Sequence, residues 1–225
     1  MFGRKISNPI PDAGIDAIDP FDSGPRIVWI KANSDKICRM FKDIPLITAM
    51  GRTQPHTILA GGAARSVTTS EPIHDYDFFF TNPSAYEIYS HLLEREYWDL
   101  VGSRANDKVR TYSKTIDGNR YDVQLIGLRT YSGTKELLEE FDFTVTQFAL
   151  DEVGIYWYST DGIKHANNKE LHLSERFSVG IPVKQTAATL RHAFKYAKYG
   201  YDVNTFVSEY FTAVGMNYVL KEGGY

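Results

Sequence analysis

The chain of 225 residues has one cysteine, Cys38. A disulfide within the chain is therefore excluded, and so is a zinc site built on cysteines. No apolar run approaches the roughly 20 residues that a helix needs to cross a bilayer. The stretch MFGRKISNPIPDAGIDAIDPFDSGP lacks an apolar signal core, so the expected setting is a reducing cytoplasm with no membrane partner. The formal net charge is −3, so no global basic field advertises nucleic acid, and any such role rests on local basic stretches. Histidines are few, and none stands at a metal-ligand spacing; His165 and His172 read as isolated. What is plentiful is aromatic: with 15 Tyr, 13 Phe and 43% hydrophobic residues, the chain can fill one substantial core, or a core domain plus a small helical appendage.

Residues 1–32, rich in Pro, Gly and Asp, read as an N-terminal arm. Asn33 or Ser34 can cap a helix with Ile37, Met40, Phe41 and Ile44 at helical spacing, and Pro45 ends it. Asn82-Pro83-Ser84 opens a second helix with Tyr86, Ile88, Tyr89, Leu92 and Leu93 as its apolar stripe. Residues 108–116 and 120–127 form a hairpin around Asp117-Gly118-Asn119. Its second strand carries Asp122 among apolar neighbours, and its basic set is Arg104, Lys108, Arg110, Lys114 and Arg120, a surface suited to guiding RNA phosphates or simply to solvent. A helix follows at about 133–140. Gly154–Ser159 and Gly162–His165 around Thr160-Asp161 suggest another small hairpin. The remainder is helical, with Leu190, Ala193, Phe194 and Ala197 as the stripe of one helix.

The most informative unit is Leu59-Ala-Gly-Gly-Ala-Ala-Arg65 followed by Asp75-Tyr-Asp77. It reads as a strand end, a double-glycine turn opening a short helix, and a second strand with two carboxylates at i and i+2. Strand side chains alternate, so Asp75 and Asp77 share a face. Two carboxylates on one face repel unless a cation sits between them. A glycine turn before a helix presents unpaired N–H groups to an anion. Divalent metal beside phosphate points to phosphoryl or nucleotidyl transfer.

The Gly61-Gly62-x-x-Arg65 turn and the Asp75-x-Asp77 pair resemble the head of class II polymerase-β-like nucleotidyltransferases, the bacterial-type CCA-adding enzymes and poly(A) polymerases. Asp142-Phe-Thr-Val-Thr-Gln-Phe-Ala-Leu-Asp151 resembles that family's R-R-D-F-T-x-N-A-L-A-x-D stretch. Thr189-Leu-Arg-His-Ala-Phe-Lys-Tyr-Ala-Lys-Tyr-Gly200 resembles its neck motif. Three ordered matches are far more specific than one. The departures are Ser66 for an aspartate, Glu140-Phe141 for two arginines, Gln147 for an asparagine, and no E-D-x-x-R motif for choosing the base.

The resemblance implies an α/β (α+β) head with a mixed sheet over residues 33–166 and a helical neck over 167–225. It implies two Mg²⁺ ions, replaceable by Mn²⁺, held by Asp75 and Asp77, with Asp122 as a third catalytic carboxylate. Gly61, Gly62, Arg65 and Arg191 would meet the NTP phosphates. The implied reaction moves a nucleoside monophosphate from NTP to an acceptor, with RNA first and a tRNA 3′ end among the options. The alternatives are a protein or small-molecule acceptor, or a non-catalytic nucleotide- or RNA-binding module. Compactness and divergence suit a phage or mobile element.

Overall fold

The computed structural model describes residues 26–69 and 71–222. The chain runs β1 (Ile27–Lys31), α1 (Ser34–Phe41), β2 (Thr57–Ala60), α2 (Gly62–Arg65), β3 (Tyr76–Phe80), α3 (Pro83–Arg95), β4 (Asp99–Arg104), β5 (Val109–Ile116) and β6 (Asn119–Ile126). It continues through α4 (Thr134–Glu139), a 3-10 turn (Thr144–Thr146), β7 (Phe148–Leu150), β8 (Ile155–Ser159), α5 (Thr160–Asn168), α6 (Glu175–Ser178), α7 (Thr186–Lys198) and α8 (Asn204–Glu222). The eight strands form one mixed sheet in the order β1-β8-β7-β2-β3-β6-β5-β4. Only β3 and β6 are parallel, because α3 and the β4–β5 hairpin carry the chain across between them.

Local chemistry accounts for the clearest elements. Asn33 caps α1 by accepting from the Lys36 amide, and Asn82 caps α3 by accepting from Ser84, with Pro83 at the first helical position. Ile116 pairs with Asn119, so the expected three-residue turn is a two-residue one. Asp117 and Gly118 both sit at positive φ (50° and 79°), the type I′ geometry that matches strand twist.

Alternation on β3 sends Tyr76, Phe78 and Phe80 into the main core with α1, α3 and α7, as expected. Phe79 points the other way, into a smaller cluster with Ile58, Ala60, Leu137 and Leu138. Asp77 shares the Phe79 face.

Four expectations are corrected. Ile27–Lys31, inside the segment read as an arm, is an edge strand paired with β8; residues 1–25 lie outside the described residues. The second small hairpin does not form. Ser159 instead caps α5 by accepting from Gly162, and Asp161 occupies the first turn, so the turn residues start a helix. Ile88 is exposed on α3. On α7 the buried stripe is Thr189, Ala193 and Tyr196, while Phe194 is 62% exposed, a face one residue away from the expected one.

Candidate active site

The end of β2 lies against the start of β3: Ala60 pairs with Asp77. The next residue, Gly61, turns the chain into α2 at φ 79° and ψ −139°, backbone that favours glycine. A Cβ built there stands 3.8 Å from Asp77 Oδ2, ordinary contact, so the backbone angle rather than space requires glycine. The turn therefore abuts the carboxylate directly. The Gly61 amide does not await a phosphate, however. It donates to the Phe148 carbonyl at 2.9 Å. Gly62, first residue of α2, retains the N–H that has no intrahelical partner, and open space lies over its Cα.

Asp75 immediately precedes β3, and both aspartates are only partly exposed. Burial first, and the Asp75 charge second, push the Asp77 carboxyl up to about 7. Lys195, Arg104 and His192 pull in the opposite direction. Lys195 Nζ lies 3.5 Å from Asp75 Oδ2. Burial is the largest single influence and works to lower the Lys195 ammonium, but Asp75, Tyr199, Tyr196 and Asp77 together outweigh it and hold the group above its usual value. Arg104 donates to Gln124 Oε1 at 3.1 Å, and Gln124 is the register partner of Asp77. His192 Nδ1 contacts Asp142 Oδ2 at 2.8 Å, which ties the neck helix to the second motif. His74, just before Asp75, stacks on Tyr199 with centroids 4.4 Å apart, so the neck also steadies the approach to β3. Two crowded carboxylates, one partly neutralised, are a hard oxygen donor set that suits Mg²⁺.

The other expected residues divide. Asp122 lies on the Asp77 face one strand over, but its carboxylate accepts from Ser113 Oγ and from Arg120 Nε at 3.0 Å. Arg191 is exposed one helical turn before Lys195, on the same stripe of α7. Arg65 is engaged with partners inside the protein. It is 5% exposed, bonds Glu71 at 2.6 Å and the Val145 carbonyl at 2.5 Å, and lies over the Tyr196 and Tyr201 rings. Its guanidinium joins the head to the neck helix. The basic hairpin is split as well. Arg110 bonds Glu87 and Ser90, and Lys114 bonds the Glu96 carbonyl, so both fasten α3.

Lys195, Arg104 and His192 were missed as site residues. Lys195 had a signal in its i+4 spacing from Arg191. Arg104 stands in the basic set of the sequence, but nothing there places it beside the aspartates, because a register shift between Leu100 and Gly102 spoils alternation along β4. A separate cleft of about 710 Å³, bordered by Arg26, Lys135, Glu140 and Arg176, includes neither aspartate.

The family model of the Gabija anti-defense 2 family matches residues 31–169, more than half of the chain. The chain belongs to the Gabija anti-defense 2 family. That match runs from the last residue of β1 through α5 and so takes in Asp75 and Asp77. No curated protein matches this family member. Among solved structures, a CCA-adding enzyme in complex with ATP is similar at 15% identity and a TM-score of 0.51, covering 82% of this chain and 42% of that one. The Thermotoga maritima CCA-adding enzyme complexed with tRNA is similar at 19% identity and a TM-score of 0.47, covering 73% and 39%. The chain spans about two fifths of the length of these structures. The likeness gives the fold: a mixed sheet with helices, like the heads of CCA-adding enzymes. No helix among the described residues is long and apolar enough to cross a membrane.

Proposed function

We propose that this chain is a divalent-metal-dependent nucleotidyltransferase that moves a nucleoside monophosphate from an NTP to an acceptor. The observation that carries this reading is the Asp75–Asp77 pair beside the Gly61 turn, with the Asp77 carboxyl pushed up by burial and by its neighbour. Repulsion of this kind is what a bound cation relieves. Asp75 and Asp77 would hold Mg²⁺, or Mn²⁺ in its place; when bound, such ions stabilise the attacking oxygen and the leaving pyrophosphate.

The chain's own residues supply the rest. The bare Gly61–Gly62 backbone admits phosphates close to the carboxylates, and the Gly62 N–H faces them. Lys195 is balanced against Asp75 and is free to turn to a phosphate once that charge is shared with a cation. Arg191 extends the same cationic stripe. Arg104 lies on the Asp77 side of the sheet and offsets charge there. Asp122 is the third carboxylate of this face, released for proton transfer only if Arg120 and Ser113 let go.

RNA is the first acceptor in this reading. A second reading rests on the family's description as anti-defense: the acceptor is then a component of the defence that the family counters. The weakening of the basic hairpin as an RNA surface favours it, since Arg110 and Lys114 are spent on α3.

The test incubates the protein with each labelled NTP, Mg²⁺ or Mn²⁺, total RNA and cell protein, and then resolves both product classes. Labelled RNA supports the first acceptor and labelled protein the second. Asp77→Ala should abolish labelling while unfolding cooperatively in urea. Wild-type labelling by that variant, or binding with no pyrophosphate release by the native chain, would sink the proposal.

A further inference from the structure

His165 and His172 are not isolated. His165 sits in the last turn of α5; Lys169 then reverses the chain in a left-handed conformation, and Glu170 and His172 return beside the helix. The two imidazoles stack with centroids 3.8 Å apart and planes 19° apart. His172 Nε2 lies 3.7 Å from Glu170 Oε2. One ligand atom from each of His165, Glu170 and His172 falls within 4.8 Å of the others.

The outer ring atoms are already occupied. His165 Nδ1 contacts Thr144 Oγ1 at 2.9 Å, in buried surroundings. His172 Nδ1 lies 2.9 Å from Glu209 Oε1, and the other Glu209 oxygen accepts from the Leu173 amide at 2.7 Å. A carboxylate can only accept, so His172 donates through Nδ1 and, when neutral, keeps a lone pair on Nε2. A histidine fixed by a carboxylate behind it is the arrangement that orients metal-binding imidazoles.

We propose that His165, Glu170 and His172 bind a borderline divalent transition-metal ion such as Zn²⁺, with solvent completing its shell. The two-nitrogen, one-oxygen donor set suits such an ion, whereas the all-oxygen pair at Asp75 and Asp77 suits Mg²⁺. Bonds of about 2.0–2.2 Å in a tetrahedron place ligand atoms roughly 3.4 Å apart, so the site closes by up to about 1.4 Å on binding. Glu170 has the freedom to do this, its side chain being 42% exposed. The ion's role is that of a clasp. It would fasten the segment after α5, which bridges Phe143 through Leu173 and Asp202 through Glu170, and through Glu209 it would hold α8 to the head.

The experiment titrates ZnCl₂ into the chelator-stripped full chain in excess Mg²⁺, by calorimetry and by thermal midpoint, with Co²⁺ absorption as a second readout. One Zn²⁺ per chain and a raised midpoint are expected, with four-coordinate Co²⁺ bands. Glu170→Gln, at an exposed position, and His172→Gln should each weaken binding at least tenfold and remove the midpoint shift. Asp77→Asn should leave it intact. Absence of Zn²⁺ binding in the native chain overturns the proposal. So does binding that survives Glu170→Gln and His172→Gln unchanged, or that is lost in Asp77→Asn.

Discussion

Arg65→Met puts the reassignment of Arg65 to a direct test. The guanidinium is buried, and its partners are a 13% exposed Glu71 carboxylate and the Val145 carbonyl. Removing it leaves that carbonyl without its donor, which costs about 1–3 kcal/mol. It also leaves Glu71 with Lys169 and the Tyr201 hydroxyl alone. Breaking one side of a buried ion pair costs about 3–5 kcal/mol, and the remaining Lys169 contact places Glu71 at the low end. Two cation–π contacts, at 5.5 and 5.8 Å, are lost as well. These terms overlap, so the expected total is about 3–5 kcal/mol. With a urea m-value of about 3 kcal/mol/M, the midpoint falls by roughly 1–1.7 M. Arg65→Met combined with Glu71→Leu should recover part of that loss, because no unpaired carboxylate is then buried. Per folded molecule, the NTP concentration for half-maximal turnover should stay near wild type. A midpoint within about 0.3 M of wild type, corresponding to about 1 kcal/mol, together with a large rise in that NTP concentration would refute the reasoning and return Arg65 to the phosphates.

Asp77→Asn should stabilise the metal-free protein at pH 8 while abolishing transfer. The folded carboxyl holds its proton to about pH 7, against an ordinary value of 3.8, so native stability declines as pH rises through that window. The ceiling is about 4 kcal/mol, and partial exposure to solvent reduces the expectation to about 2. Urea midpoints in chelator should differ at pH 8 and converge near pH 4; equal differences at both would exclude the origin in Asp77. Gly61→Ala should cost about 1–3 kcal/mol from the strained backbone alone, since a Cβ meets nothing closer than Asp77 Oδ2 at 3.8 Å; a stabilised variant by thermal midpoint would contradict the assigned φ.

What was legible in the sequence is what short-range chemistry decides. Asn33 and Asn82 cap helices with their own side chains, Asp117-Gly118 takes the type I′ geometry that suits a two-residue hairpin, and a Gly-Gly step beside Asp-x-Asp brings glycine and carboxylate together across one strand pair. Reading failed where a residue's role depends on a distant partner. Thr144–Thr146 and Ser159 start elements whose form depends on packing between β7, β8 and α5, so a turn-like Thr-Asp-Gly became a helix. The buried face of α7 follows Thr189 and Tyr196 rather than the more apolar Phe194, because the Tyr196 ring lies against Arg65 and Phe143.

The same dependence explains the exchange of roles between the two cationic side chains nearest the motif. Sequence places Arg65 four residues past the glycine turn and Lys195 far along the neck, so Arg65 reads as the phosphate ligand. A long cationic side chain, however, goes to whichever carboxylate the fold leaves buried and otherwise under-compensated. For Arg65 that is Glu71, which Lys169 and Tyr201 also reach and which is held below the usual carboxylate range despite its burial. For Lys195 it is Asp75, crowded by Asp77. The helix that carries Lys195 is positioned by Arg65 itself, through Tyr196 one residue further on. Arg65 therefore bears on the candidate site at one remove, by holding in register the helix whose lysine stands beside the aspartates.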